Sequence, residues 1–576
     1  MVSAPFLNPY HYYPFLTFYS EWLAFVIGLA ALAAIAMVPS RNAVPIPAMC
    51  LGLFLLTLVL VLQAALDQVA YPLRSALGTL YLVWAALLVI LGAWLRKELG
   101  EAAVSRVLQW WIVLAGVVAA ASGFIQYYEV PTPWGTYATL DPVNQMLGTV
   151  NQTNNFANYL GCALISVAFL YARNALGLLP ALIVALPLAA GMALSGSRGP
   201  WGYFAIAFAL APLLRLGGHS QEARKILQLV SLAFALFLLV QVLNFYTGIF
   251  AGPHGTPLSS GERLIDRRNL EIGGSGRGQL FLYAWLMFLS NPLFGIGFGE
   301  YAWRAFELAA DLPGGVPPGL DRHSHNLFLH LLAETGIAGL LCFAIPLALW
   351  FRRMPWRNLD PGRCWAIGVL AVIGLHSMLE FPLWHANFLG VFALIFGVAS
   401  PGGGAAVEPT RLRRGLILVV VLAGILTARG VWSDYRAFER WYLAVEAKSS
   451  QGELPDKSDL ESLMSLREDS LFGPYFERIA SEAIALDERD LQEKLAFNTQ
   501  VMRSYPMPSV ALRQVALLAL SGRDAEAMRM LRAAIQVYPE RTAQWLPALE
   551  ELARERPARF SGLLGFVRGR LGQERR

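Results

Sequence analysis

The chain has 576 residues, of which 56% are hydrophobic and only 15% are charged. A soluble domain carries roughly 25% charged residues, so this composition excludes an ordinary water-soluble globular protein. The formal net charge of +5 would suit a nucleic-acid partner, but 17 of the 45 lysines and arginines lie in short connections between apolar segments, where they set membrane topology. The sequence therefore predicts a membrane protein with no nucleic-acid partner.

Apolar segments of about 17–25 residues, the length of a helix that crosses roughly 30 Å of hydrocarbon, recur along most of the chain. We predict an all-α, polytopic integral membrane protein with about twelve transmembrane helices. The predicted spans are approximately 22–39, 45–63, 75–95, 107–125, 156–172, 176–194, 200–214, 227–250, 326–350, 364–380, 384–400 and 415–431.

The basic residues of the short connections predict the orientation. They concentrate in one alternating set of connections, whereas the opposite set holds only Arg74 and Arg198. Basic residues in short loops resist translocation, so the first set is predicted to face the cytoplasm. Both termini and a long loop of about residues 251–325 are then expected outside, which is the periplasm of a Gram-negative cell.

The composition becomes charged and amphipathic after Trp432. We therefore predict a transmembrane domain over residues 1–432 and an outer helical domain over residues 433–576. In ALLALSGRDAEAMRMLRAAIQVYP, alanines and leucines recur at helical spacing, Gly522 suits a turn and Pro539 suits a helix end. The stretch resembles one tetratricopeptide-type helical hairpin.

Two arginines occupy positions that topology alone does not explain. Arg198 lies in LSGSRGPW, next to lipid depth, where an arginine is costly unless it faces a cavity or an anion, although an arginine at a helix end can also snorkel to water. Arg277 lies in GGSGRGQLFLYAWL, where a glycine-rich turn leads into an amphipathic helix and can bind an anion. The turn lacks the ending of a Walker loop. Because a guanidinium bonds two oxygens, the pair is predicted to hold a lipid-linked pyrophosphate.

The stretch RHSHNLFLHLLAETGIAG places Arg322, His323 and His325 just ahead of an apolar helix. A histidine titrates near neutral pH and can accept a proton from an alcohol, so His325 is a candidate general base. Glu334 lies further along the apolar run, where a carboxylate needs a partner or a function. The competing interpretation is that Ser324 caps the helix and both histidines point to water.

A second polar cluster, in HSMLEFPLWHANF, holds His376, Glu380 and His385 at the next predicted outer mouth. His376 and Glu380 are four residues apart and would share a helix face. The set lacks the HExxH spacing of a zinc protease, so we expect no metal there.

Three stretches in order, SGSRGPW, GSGRGQLFLYAWLMFLSNPLFGIGFGEY and HSHNLFLHLLAETGIAGL, resemble the successive signatures of the O-antigen ligase superfamily. The resemblance covers about residues 190–345. Two further stretches, NPYHYYPFLTFYSEWLA and HSMLEFPLWHANFLG, are similar to segments of the protein-glycosylating branch, the pilin glycosylation ligases.

The resemblance implies a glycosyltransferase of the bacterial inner membrane whose active site faces the periplasm. Such an enzyme moves a glycan en bloc from undecaprenyl diphosphate to a Ser or Thr hydroxyl of a periplasmic, pilin-like protein, without a cofactor or metal. The essential histidine of the family falls on His325, with His323 two residues away as the alternative base. Its two pyrophosphate-binding arginines fall on Arg198 and Arg277. Further polar residues are expected to support the site: Arg322, His323, Glu334, His376 and Glu380.

Other functions remain open from the sequence. An O-antigen ligase would perform the same chemistry with lipid A-core as the acceptor. A polysaccharide polymerase or a transporter of lipid-linked glycan are further alternatives. A transporter is expected to show internal repeats and broken helices at the membrane midplane, whereas the polar residues of this chain concentrate at one outer face.

Overall fold

The computed structural model describes residues 1–38, 43–132, 145–255, 277–311, 320–402, 405–408, 411–450, 457–466 and 470–574. Within these ranges the fold is all-α, apart from one short antiparallel pair of strands, β1 (Val44–Ile46) and β2 (Ala405–Val407). All the connections between consecutive helices that are described are turns, bends or short 3-10 segments.

The helices up to residue 250 are α1 (Phe18–Met37), α2 (Ala48–Ala65), α3 (Pro72–Leu99), α4 (Glu101–Tyr127), α5 (Thr153–Ala172), α6 (Leu178–Leu194), α7 (Gly199–Leu216) and α8 (Ser220–Thr247). Those between residues 277 and 450 are α9 (Arg277–Ser290), α10 (Tyr301–Ala309), α11 (Leu327–Arg353), α12 (Pro361–Ser377), α13 (Ala386–Ala399) and α14 (Arg411–Ser450). The remaining helices are α15 (Lys457–Ser465), α16 (Gly473–Ala483), α17 (Leu491–Ser504), α18 (Pro508–Leu520), α19 (Asp524–Val537), α20 (Thr542–Glu555) and α21 (Pro557–Glu574).

Each predicted span overlaps one of these helices. In the described part of the chain, 9 helices are long and apolar enough to cross a membrane, which makes the chain a multi-pass membrane protein. Three predicted spans overlap helices outside this group. Two of those helices, α6 and α13, are apolar but shorter than 18 residues. Twelve crossings and their orientation therefore stay predictions.

The chain divides into two compact units, each with its own core. The first comprises Met1–Leu56, Leu80–Asp266 and Cys342–Trp432, and the second comprises Thr57–Thr79, Arg267–Leu341 and Ser433–Arg576. Helix α5 is the centre of the first unit, because α4, α6, α7, α8 and α12 all pack against it. Every residue of α5 from Phe156 onward is buried.

In the second unit, helix α11 is broken at Gly336, whose φ of 63° and ψ of −164° lie outside the helical region. The preceding segment NPLFGIG, residues 291–297, satisfies the backbone groups that the break frees. Ile296 N–H donates to the Ala333 carbonyl at 3.0 Å, and Ala338 N–H donates to the Leu293 carbonyl at 3.1 Å. Apolar surroundings make an unpaired backbone group expensive, so this segment stabilises the break.

The carboxyl-terminal part of the second unit contains the helical hairpin that the sequence predicts. Helices α18 and α19 pack against each other, and Gly522 forms the turn between them with φ of 77°. Helix α19 ends at Val537, two residues before Pro539. The helices and the turn are as expected, while the likeness to a tetratricopeptide repeat stays a prediction.

We expect Gly336→Ala to destabilise the protein. Its backbone conformation costs any other residue about 1–3 kcal/mol, and a Cβ atom would overlap the Leu293 carbonyl. The melting temperature of the detergent-solubilised variant should therefore fall. Gly374→Ala in α12 is the matched control, because a Cβ there meets nothing within 4 Å and alanine favours the helix. Equal melting temperatures for the two variants would contradict the break at Gly336.

Candidate functional site

The structure assigns the predicted site residues to both units. Arg198, His376 and Glu380 belong to the first unit. Arg277, Arg322, His323, His325 and Glu334 belong to the second unit. The geometry within each unit can therefore be compared with the sequence-based predictions, whereas a common cavity for Arg198 and Arg277 stays a prediction.

Helix α11 begins directly after the two histidines, and Asn326 is its capping residue. The Asn326 Oδ1 atom accepts a hydrogen bond from Leu329 N–H at 3.1 Å, as an N-cap does. The interpretation in which Ser324 caps the helix is wrong, since the Ser324 hydroxyl donates instead to the Asn326 carbonyl at 3.0 Å. Ser324 is fully buried, so the chain between the histidines is anchored in the protein.

A buried chain of side chains runs from His323 into the apolar part of α11. His323 Nδ1 lies 3.3 Å from His330 Nε2, and His330 Nε2 lies 3.4 Å from Glu334 Oε2. The side chains of His330 and Glu334 are each only 3% exposed. Of the two explanations expected for Glu334, a partner or a function, the structure shows a partner, His330, one helical turn away.

Glu334 is held on several sides. Its Oε1 atom accepts a hydrogen bond from Tyr301 N–H at the start of α10, at 3.3 Å. Its main-chain carbonyl accepts from Gln63 Nε2 at 2.7 Å and from Gly297 N–H at 3.1 Å. These bonds fix both the backbone and the carboxylate next to the break in α11, so the carboxylate has little freedom to reorient.

His325 differs from His323 in backbone and in surroundings. It adopts a left-handed conformation with φ of 55°, which is uncommon for a residue other than glycine and marks strained sites. Its Nε2 atom lies 3.6 Å from Asp321 Oδ1, and the ring is 15% exposed. Asp321 is therefore the acidic neighbour of the His325 ring.

Arg322 lies beside the histidines. Its guanidinium stacks over the ring of Tyr505 at 4.5 Å from the centroid, and Nη1 donates to the Tyr475 hydroxyl at 3.3 Å. These two aromatic residues belong to the carboxyl-terminal part of the same unit. Arg322 is thus held by that part of the chain while its side chain stays exposed.

Arg277 is the first residue of α9. The glycine-rich turn predicted ahead of it, residues 273–276, lies outside the described residues. Helix α9 is attached to α10 by the hydrogen bond from the Tyr301 hydroxyl to the Leu280 carbonyl, at 2.7 Å. Tyr301 therefore contacts both α9 and Glu334, so it ties the helix of Arg277 to the carboxylate of α11.

In the first unit, Arg198 immediately precedes the first turn of α7. Its neighbour Ser197 is buried, and the Ser197 hydroxyl donates to Asn154 Oδ1 at 2.8 Å. Asn154 Nδ2 in turn donates to Glu380 Oε1 at 3.0 Å. The structure therefore connects the segment of Arg198 to Glu380 through a single asparagine of α5.

His376 is buried near the end of α12 and has two polar partners. Its Nδ1 atom lies 3.2 Å from the Tyr203 hydroxyl, and its Nε2 atom lies 3.0 Å from Asn155 Oδ1. The prediction that His376 and Glu380 share a helix face is wrong. Helix α12 ends at Ser377, and Glu380 lies in the bend that follows, where its N–H donates to the His376 carbonyl at 2.8 Å. His376 and Glu380 nevertheless bind consecutive asparagines of α5.

His385, the third member of this cluster, has a different partner. Its Nδ1 atom lies 3.0 Å from Glu21 Oε1, and Glu21 also accepts from the Tyr81 hydroxyl and from Ala386 N–H. Among the residues that the structure describes, no three His, Cys, Asp or Glu side chains come together as metal ligands.

Sequence analysis missed several of these residues. His330 is a single histidine within LFLHLL. Its spacing of four from Glu334 and seven from His323 matches helical periodicity, so the sequence does indicate that the three side chains lie on one side. Asn154, Asn155 and Tyr203 had no comparable signal, because their partners are distant in the chain.

A buried ion pair anchors the segment that carries Tyr301. The Glu300 carboxylate accepts from Ala70 N–H at 2.7 Å and from Arg503 Nε at 3.1 Å. The Glu300 side chain is 4% exposed and that of Arg503 is 32% exposed. Burial raises the pKa of Glu300, while Ala70 N–H and Arg503 act in the opposite direction.

We expect Arg503→Met to lower the stability of the protein, and to do so more at pH 8 than at pH 5. Without Arg503 the pKa of Glu300 rises further, and a raised carboxyl pKa costs stability as the pH increases through it. Because Arg503 is partly exposed, the loss at pH 8 should be about 1–3 kcal/mol, measured as a shift in melting temperature. Arg489→Met, which removes an exposed ion pair with Asp487, is the control. A loss independent of pH would contradict the role of Arg503.

Two protein families and one relative match parts of the chain. Residues 182–344 match the O-antigen ligase family, and residues 364–550 match the C-terminal region of a family described as virulence factor membrane-bound polymerase. The general O-oligosaccharyltransferase of Acinetobacter baylyi is 22% identical over 454 residues, which cover 76% of this chain and 75% of the relative. Together these matches support a place for the chain in the O-antigen ligase superfamily, in its protein-glycosylating branch. These matches support a membrane enzyme that transfers glycans.

Proposed function

We propose that the chain is an O-linked oligosaccharyltransferase that moves a glycan en bloc from undecaprenyl diphosphate to a Ser or Thr hydroxyl of a periplasmic, pilin-like protein. The observation that carries the proposal is the buried chain His323, His330 and Glu334 beside the strained His325. A protein that only spans the membrane gains nothing from burying these groups, which cost free energy there. The similarity to an oligosaccharyltransferase supports transfer to a protein.

In the proposed mechanism His325 takes the proton of the acceptor hydroxyl while the oxygen attacks the anomeric carbon of the glycan. The bond between that carbon and the phosphate oxygen breaks, and undecaprenyl diphosphate leaves with the electron pair. A correctly placed general base contributes about 10²–10⁴-fold to the rate. Asp321, 3.6 Å from the His325 ring, stabilises the imidazolium that forms.

Arg198 and Arg277 are proposed to bind the diphosphate. An arginine holds two phosphate oxygens in a fixed geometry and keeps its charge at every accessible pH. The first unit supports Arg198 through Ser197, Asn154 and Glu380. The Glu380 and His376 side chains are accordingly assigned to positioning, together with Arg322 on the other unit.

The proposed location is the bacterial inner membrane, with the site and both termini on the periplasmic side and twelve membrane crossings. The basic residues of the short connections support this orientation. We further propose that residues 433–576 receive the acceptor protein, since they form helices outside the predicted spans and hold Arg322 through Tyr475 and Tyr505.

Two observations favour related alternatives. The match over residues 182–344 is to a family described as O-antigen ligase, whose acceptor would be lipid A-core, and residues 364–550 match a membrane-bound polymerase. In all three cases a glycan leaves a lipid diphosphate, so only the acceptor separates them.

We expect purified protein to transfer a glycan from undecaprenyl-diphosphate oligosaccharide to a periplasmic pilin in vitro, and His325→Ala to lose about 10²–10⁴-fold of that activity because the base is missing. The readout is a mass shift of the pilin, with lipid A-core offered in a parallel reaction. His219→Ala is the control, since His219 lies at the start of α8, where it pairs with Glu222. Glycan on lipid A-core alone would instead identify a ligase, and elongated lipid-linked glycan would identify a polymerase.

We expect Arg277→Lys to keep the charge but lose the two-oxygen geometry, so that kcat/KM falls about 10²–10³-fold as it does when a fixed donor to a developing anion is removed. Steady-state kinetics with varied donor concentration measures this. Arg304→Lys, at an exposed ion pair of α10, should be unchanged. Full activity of Arg277→Lys would contradict the assigned role.

A further inference from the structure

Two histidines, His323 and His325, flank Ser324, and the proposed function needs one base. The rings have different surroundings, because His323 contacts His330 at 3.3 Å whereas His325 lies 3.6 Å from Asp321. The hydrogen bonds around His330 decide what His323 can do.

Ser324 N–H donates a hydrogen bond to His330 Nδ1 at 3.4 Å. A backbone N–H can only donate, so His330 Nδ1 is an acceptor and carries no proton. The proton of the neutral ring is therefore on Nε2. That atom faces Glu334 Oε2 at 3.4 Å and His323 Nδ1 at 3.3 Å, and a carboxylate oxygen beside it stabilises the proton there.

The same argument extends to His323. Because His330 Nε2 is a donor, His323 Nδ1 is an acceptor, and the proton of the neutral His323 ring is on its Nε2 atom. His323 is thus prepared to donate a hydrogen bond through Nε2, and it is not prepared to accept a proton there. In metal-bound and catalytic histidines, too, the hydrogen bond made by one ring nitrogen determines which of the two nitrogens carries the proton.

We infer that His323 is a catalytic hydrogen-bond donor to the departing diphosphate, that His330 and Glu334 are positioning residues that fix its tautomer, and that His325 is the base. The inference rests on the proposed function and deepens it. In the step, the acceptor proton goes to His325, the new bond joins the acceptor oxygen to the anomeric carbon, and the electron pair of the broken bond stays on the diphosphate. His323 Nε2–H hydrogen-bonds an oxygen of that diphosphate and keeps its proton.

The groups that face the two histidines in the second unit are compatible with this division. Asp321 and Arg322 are adjacent along the chain and bring one negative and one positive charge. From the other elements, Tyr301 packs its ring 5.2 Å from that of His330, and Tyr505 stacks on Arg322. Burial raises the pKa of both phenols, so neither brings a negative charge near neutral pH.

Glu334→Gln tests the positioning chain with almost no change of shape. Glu334 Oε1 accepts a hydrogen bond from Tyr301 N–H, and its Oε2 atom lies 3.4 Å from His330 Nε2. Glutamine offers one oxygen and one NH2 group, so it satisfies Tyr301 only by presenting a donor to His330. His330 Nδ1 still accepts from Ser324 N–H, so Nε2 keeps its proton and now faces a second donor, which displaces the ring and weakens its support for His323. We expect kcat to fall about 10-fold or more while KM for the donor changes little. Glu307→Gln in the exposed pair of α10 is the isosteric control.

The decisive measurement is the pH profile of glycan transfer for wild type, His323→Gln, His323→Leu and His325→Gln. Activity of the wild type should fall on the acid side as the base becomes protonated. His325→Gln should lose that acid limb together with most of the rate. His323→Gln, whose amide still donates a hydrogen bond, should keep the acid limb while the rate falls about 10-fold. In His323→Leu the rate should fall about 10²-fold.

Loss of the acid limb in His323→Gln, with the limb kept in His325→Gln, would overturn the inference and make His323 the base. Wild-type activity in all variants of His323, His330 and Glu334 would overturn it as well. Solid-state ¹⁵N spectra of histidine-labelled protein report the tautomers independently of activity, and protonation of His330 on Nδ1 would also contradict it. If wild type transfers glycan to neither the pilin nor lipid A-core, the proposed function fails, whereas the ¹⁵N spectra still test the tautomers.

Discussion

The geometry of the second unit depends on a broken helix in apolar surroundings. An interruption in such a helix exposes backbone groups that lipid cannot satisfy, and here the segment 291–297 supplies the missing hydrogen bonds on both sides of Gly336. These hydrogen bonds fix the position of the Glu334 backbone, and Tyr301 N–H then fixes the orientation of its carboxylate. The contacts of His330 and His323 depend on that position. The break in the helix therefore also determines where these candidate site residues lie.

Polar side chains in the first unit follow a related principle. Asparagines at the start of α5 bind His376 and Glu380, and a serine next to Arg198 binds the same helix. Each of these polar groups is satisfied by a neighbour at a helix end, where the backbone already offers unpaired groups and water is closest. Charged and polar residues can then be kept near the membrane without leaving buried groups unpaired.

Sequence analysis could predict the apolar helices, because hydropathy and helix length depend on local composition alone. It could also single out Glu334 and the histidines before α11, since charge within an apolar run is visible in one dimension. It could not predict the break at Gly336, which requires a distant segment to accept and donate the freed hydrogen bonds. The end of α12 was misjudged, because the helix ends at Ser377, before Glu380. The proposal of His325 rather than His323 as the base depends on the hydrogen bond that Ser324 N–H donates. The direction of a backbone N–H group cannot be read from the spacing of residues.

Helix α5 also determines how the chain can be inserted. It is almost completely surrounded by other helices of its unit, and its mean hydropathy of 1.4 is among the lowest of the candidate spans. Its asparagines would be poorly solvated by lipid. During synthesis α5 follows α4 and the N-terminal segment, whose Val2 and Phe6 contact Tyr159 of α5, but it emerges before α6, α7, α8 and α12. Stable integration of the central helix is therefore a late event that depends on the segments translated after it.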